Sequence, residues 1–123
     1  HLTETFCPHG LGHLLGLQVH DVGGHQLNAT GDLQPPPENY ASLRFTRPIT
    51  EGMVLTVEPG VYFIPALLNA YQPTDQRFNW DLIESLKPFG GIRIEDNVRV
   101  RANGVENLTR DAFGAVQRNG KEQ

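Results

Sequence analysis

Residues 7–24 set His9, His13 and His20 among five glycines. Glycine lets backbone approach a ligand closely, and imidazole both binds metals and moves protons near neutral pH. The segment therefore suits a metal or proton-transfer site, and it suits equally a set of loop histidines that only hydrogen-bond. Two acidic residues interrupt apolar surroundings: Glu58 ends the run Met53-Val-Leu-Thr-Val57 just before Pro59, and Glu95 sits in an alternating stretch beside Arg93. A buried carboxylate is costly unless a cation or a well-placed donor meets it, which makes Glu58 a better ligand candidate than Glu51 or Glu122. For Glu95 the alternative is a solvent-facing pair with Arg93. One His and two carboxylates fall short of what two hard divalent ions about 3.5–4 Å apart require, so at least two ligands are missing from the set. No Cys pair, Gly-Lys-Ser loop, Gly-x-Ser-x-Gly elbow or His-Glu-x-x-His helix occurs, which removes most other enzyme classes with short signatures.

The elements that must carry these residues are legible in outline. Residues 14–20 suggest a strand, and residues 25–39, with Pro35-Pro-Pro37 among Asn, Gly and Asp, predict a surface loop. Residues 53–57 and 61–64 read as one buried strand, bent at 58–60. In residues 79–86, Trp80, Ile83 and Leu86 recur at three-residue spacing and predict a short helix packed on a sheet. Residues 92–100 alternate, and Asn103-Gly104 predicts a type I′ turn into 105–108, hence a hairpin. The tail from Arg110 loses its pattern, and residues 118–123 are expected to fray.

A chain of 123 residues fits one domain. It is 38% hydrophobic and 20% charged, with no apolar run near the roughly 20 residues of a membrane span, so a soluble globular protein with no membrane partner is expected. Ten Lys and Arg against fourteen Asp and Glu give a net charge of -4, with the arginines scattered, and nucleic acid is not an expected partner. Cys7 is the single cysteine, which excludes an internal disulfide and suits a reducing cytoplasm. The opening residues, from His1, lack the basic start and apolar stretch of a signal peptide, and the chain is expected to begin within a longer protein.

Four segments in order, Pro8-His-Gly-Leu-Gly-His13, Gly16-Leu-Gln-Val-His-Asp-Val-Gly-Gly24, Gly52-Met-Val-Leu-Thr-Val-Glu-Pro-Gly60 and Gly91-Ile-Arg-Ile-Glu-Asp-Asn97, resemble the prolidase family. Leu43-Arg-Phe-Thr-Arg47, Asn79-Trp80 and Lys87-Pro-Phe-Gly-Gly91 are similar to bacterial Xaa-Pro dipeptidases and to the organophosphorus acid anhydrolases of that branch. The resemblance runs over about residues 6–110. It implies an α+β fold, the carboxy-terminal part of a pita-bread domain with a curved, mostly antiparallel sheet and short helices, occupying residues 1–123 with the upstream part absent.

Position by position, the resemblance implies that His13 and Glu58 ligate one metal and that Glu95 bridges two, commonly manganese. The other two ligands in the family are aspartates upstream of the histidine segment, a motif that Asp21 and Asp96 do not match. His20 is implied to lie by the substrate and stabilise the reacting centre, Arg44 to pair with the proline carboxylate, His9 to belong to the surrounding shell and Arg93 to support it. The implied reaction is attack by a metal-bridging hydroxide on the carbonyl before proline of an Xaa-Pro dipeptide, with Glu58 as proton shuttle. Because proline's tertiary amide has no N–H, a clamp on the free carboxylate supplies specificity. Organophosphate hydrolysis at the same centre and a non-catalytic binding or assembly domain are the competing readings. With its ligand set incomplete the 123-residue chain alone is expected to be inactive, and an exposed sheet edge is expected to make it a homodimer or otherwise self-associated.

Overall fold

The computed structural model describes residues 2–119. Along the chain run α1 (Leu2–Phe6), β1 (Val54–Val57), β2 (Gly60–Tyr62), α2 (Pro65–Leu68), α3 (Trp80–Leu86), β3 (Gly91–Arg93), β4 (Asp96–Arg101), β5 (Gly104–Asn107) and α4 (Leu108–Asn119), with short 3-10 turns between. The paired strands are antiparallel and the helices short, an α+β architecture. The chain divides into two compact units, one of His1–His9 with Pro59–Ile94 and the other of Gly10–Glu58 with Glu95–Gln123. No helix among the described residues is long and apolar enough to cross a membrane.

In the Gly10–Glu58 unit the sheet order is β1-β4-β5. β1 consists of β-branched and apolar residues, and its register pairs Leu55 with Val98 of β4. Those two and Leu14 form the buried cluster, packed by Phe45, Met53, Val57 and Val100. Pleating sends successive residues to opposite faces. Leu55 thus takes the apolar side, while Thr56, fully buried, takes the other. Along the second edge of β1 runs the segment carrying the first histidines: Leu15 N–H donates to the Val54 carbonyl, Thr56 N–H to that of His13 and Glu58 N–H to that of Leu11. The strand expected over 14–20 is therefore displaced. Leu14 alone forms a bridge, to Leu55, and residues 16–20 bend away.

Four further expectations are corrected. Residues 53–64 do not form one bent strand: β1 pairs with β4 and β2 with β3, in separate sheets, parted at Glu58-Pro59, where Pro59 has no N–H to offer a ladder. The alternating run 92–100 is parted likewise at Ile94-Glu95, and Ile92 and Ile94 are exposed. The hairpin between β4 and β5 forms, but Arg101 pairs with Gly104, so its two-residue turn is Ala102-Asn103. The patternless tail is the helix α4. It starts where the Asn107 side chain accepts the Arg110 N–H, and it is tied to β4 by Thr109 Oγ1 accepting the Asn97 N–H and by Arg110 on Asp96. The expected fraying falls largely on residues 120–123, outside the described residues.

The other unit holds the predicted helix α3, capped by Asn79 Oδ1 accepting the Leu82 N–H. Ile83 packs with Leu68 and Phe78 under Phe6, Phe63, Tyr71 and Trp80, so the helix seats on a largely aromatic cluster.

Candidate metal centre

His13 is 4% exposed and Glu58 8%, and His13 Nε2 stands 3.3 Å from Glu58 Oε1. The local fold aims both. Thr56 and Glu58 lie two residues apart and so share a face, and the 11–15 segment beside β1 brings His13 against that face. Gly12 makes the approach possible, since a Cβ there would collide with the Thr56 carbonyl.

The hydrogen bonds assign the tautomer. His13 Nδ1 lies 3.0 Å from the Leu14 carbonyl oxygen, which can only accept, so Nδ1 carries a hydrogen and donates it. In the neutral ring Nε2 is then a lone pair facing a carboxylate oxygen. Two acceptors at this distance need a proton or a cation between them, and an imidazole nitrogen with a carboxylate oxygen is a donor set that fits one divalent ion. No group of three His, Cys, Asp or Glu side chains is gathered at metal-holding geometry among the described residues.

His20 packs edge-on against His13, with ring centroids 4.4 Å apart. Desolvation lowers its pKa from the ordinary histidine value, although the side chain is exposed, and the charges of Arg44 and His13 act the same way. Glu58 and Glu95 oppose them. The two carboxylates and Arg44 thus act electrostatically on one imidazole. His20 and Arg44 also line an open cleft of about 750 Å³ with Asp21 and His25. On one wall His25 Nε2 lies 2.9 Å from the Leu43 carbonyl, and the Gly24 carbonyl accepts the Thr46 and Arg47 N–H groups, so the turn Val22–His25 brackets the segment that carries Arg44.

His13, His20, Arg44, Glu58 and Glu95 all belong to the Gly10–Glu58 unit, Glu95 being exposed. His9 and Arg93 belong to the other. There His9 meets the Cys7 sulfur at 3.7 Å and the Tyr62 ring edge-on at 5.4 Å, and Arg93 lies opposite Gly60 in the β2–β3 pair. Asp21 and Asp96 have structural work. Asp21 Oδ1 accepts the Gly23 N–H, and Asp96 accepts from Asn107 and Arg110, which together hold its pKa below the ordinary value. Thr56 was missed in the sequence. Its signal was a hydroxyl inside an apolar strand, which burial obliges to find partners.

A family model described as metallopeptidase family M24 matches residues 2–102. An Xaa-Pro dipeptidase of Glaesserella parasuis is 58% identical over 113 residues, covering 90% of this chain and 26% of that protein. An Xaa-Pro dipeptidase of Actinobacillus pleuropneumoniae is 56% identical, with the same coverage. The chain thus spans about a quarter of the length of these curated relatives. Among solved structures, Escherichia coli aminopeptidase P with the inhibitor Pro-Leu is 30% identical over 99% of this chain and 22% of its own, with a TM-score of 0.51. Proline aminopeptidase P II from Yersinia pestis is 34% identical over 88% and 18%, with a TM-score of 0.50.

Proposed function

The chain belongs to metallopeptidase family M24, and from that premise we propose that it carries the His and Glu part of the dinuclear centre of an Xaa-Pro dipeptidase. The observation that carries the reading is the buried His13 Nε2 facing Glu58 Oε1 at 3.3 Å, with Nδ1 turned to the Leu14 carbonyl. In this reading His13, Glu58 and Glu95 would hold the ions together with carboxylates upstream of the histidine segment. Mn²⁺ is the proposed metal. Bound there, divalent ions would supply an activated water and Lewis acidity toward the peptide carbonyl.

The chain's own residues would do the rest. Arg44 offers two parallel donors to the proline carboxylate. Its place beside His20 on one cleft supports that role. His20 donates one N–H to the oxygen on which charge develops, in keeping with the lowering of its pKa. Glu58 takes the proton of the attacking water through its carboxylate and passes it to the departing proline nitrogen. Self-association belongs to the same reading and is supported by the exposure of Phe89, Ile92, Phe113 and Val116. A cytoplasmic setting is proposed on the single cysteine.

Native mass spectrometry of the 123-residue protein with Mn²⁺ tests the ligand count. No ion, or one weakly held, and no proline released from Gly-Pro are expected of this chain, with turnover expected of a longer protein that contains it. Two tightly held ions, or proline release by the chain alone, would sink the incomplete-site reading.

A further inference from the structure

Thr56 is 0% exposed, and its hydroxyl lies between the two buried ligand candidates. The His13 amide N–H donates to Oγ1 at 3.0 Å, and Oγ1 lies 3.1 Å from Glu58 Oε1. An amide nitrogen can only donate, so it fills an acceptor position on the hydroxyl, and a carboxylate can only accept. The single hydroxyl hydrogen therefore has one destination, Glu58 Oε1, and the polarity of the chain His13 N–H to Thr56 O–H to Glu58 is fixed. At the same time Thr56 N–H donates to the His13 carbonyl at 2.9 Å, so backbone and side chain of one residue fix the backbone of His13.

The geometry points to Thr56 as the positioning residue of the cation site: its hydroxyl holds Glu58 Oε1 opposite His13 Nε2, so the carboxylate rotamer is set before any ion arrives. This rests on the metal-binding reading above and extends it to a residue that touches neither ion nor substrate. Groups that orient metal ligands in this way are typically worth about 10–100-fold in metal affinity.

Calorimetry of Mn²⁺ binding to a longer protein that contains this chain and the upstream carboxylates tests it, with circular dichroism to check the fold of each variant. Thr56→Val keeps the shape and loses the hydroxyl, and is expected to bind Mn²⁺ about 10–100-fold more weakly. Thr56→Ser keeps the hydroxyl and is expected to bind like the unsubstituted longer protein. Equal binding by Thr56→Val, or equal weakening in both variants, overturns the assignment to the hydroxyl while the metal-binding reading stands. No Mn²⁺ binding by the unsubstituted longer protein overturns both. Should Thr56→Val fail to fold, the unsubstituted chain decides by NMR. A slowly exchanging hydroxyl proton with a through-space cross-peak to the Thr56 methyl group is expected, and its absence overturns the proposal.

Discussion

Gly12 lies so close under the Thr56 carbonyl that a methyl group on it would occupy the same space as that oxygen. The contact joins the histidine segment to β1 at the level of the ligand pair. Relief would require moving backbone, because the atom in the way belongs to a strand held by β4 on its other edge.

Gly12→Ala should therefore destabilise the chain by about 1–3 kcal/mol, the range for overpacking a tight interior. Urea unfolding followed by circular dichroism measures it. A midpoint equal to that of the unsubstituted chain would mean that the segment can withdraw from β1 at little cost, contrary to the three backbone hydrogen bonds that hold it.

Glu58→Gln keeps an oxygen able to accept the Thr56 hydroxyl and removes the charge facing His13. The fold should survive while Mn²⁺ affinity drops by at least about tenfold. Calorimetry with Mn²⁺ and a thermal melt separate the two effects, and unchanged affinity would remove Glu58 from the ligand set.

Asp96 makes the chain's acid response testable. Hydrogen bonds from Asn107, then from Arg110, lower its pKa from 3.8 in the folded chain, so the folded state favours the ionised carboxylate. The stability this gives is fully present above the ordinary value and is lost as pH falls through the lowered one. Asp96→Asn should lower the melting temperature at pH 7 and flatten its decline between pH 4 and pH 3. A variant that melts with the same acid dependence would show that the link from β4 to α4 does not rest on that charge.

Arg44→Ala, made in a longer protein that hydrolyses Gly-Pro, should raise KM by about 10–100-fold, the worth of hydrogen bonds to a charged group. The amide of Gly-Pro, Gly-prolinamide, should lose less on the same substitution because it lacks the carboxylate. Equal losses on both would place Arg44 in the architecture of the cleft instead of against the substrate.

The sequence by itself determined much of this protein, because several signals are local. The three-residue spacing of Trp80, Ile83 and Leu86 specifies α3, the alternation of Val98 and Val100 specifies β4, and Glu58 at the end of an apolar strand marks a buried charge in need of a partner. The segments around His13, Glu58 and Glu95 also carried the family resemblance. Only the tertiary structure decided where continuous patterns break and which side chains meet. Val61 and Ile92 prolong the apolar runs of β1 and β4, yet they pair with each other in a second sheet, since a proline and a change of partner cannot be weighed by periodicity. α4 forms through Thr109 and Arg110 meeting β4, contacts that no window of sequence contains. Thr56 acquires its place because antiparallel pairing across 43 positions sets the His13 amide over its hydroxyl. A hydrogen bond at that separation follows from register, and register is fixed when the apolar face of β1 is buried against Leu14 and Val98.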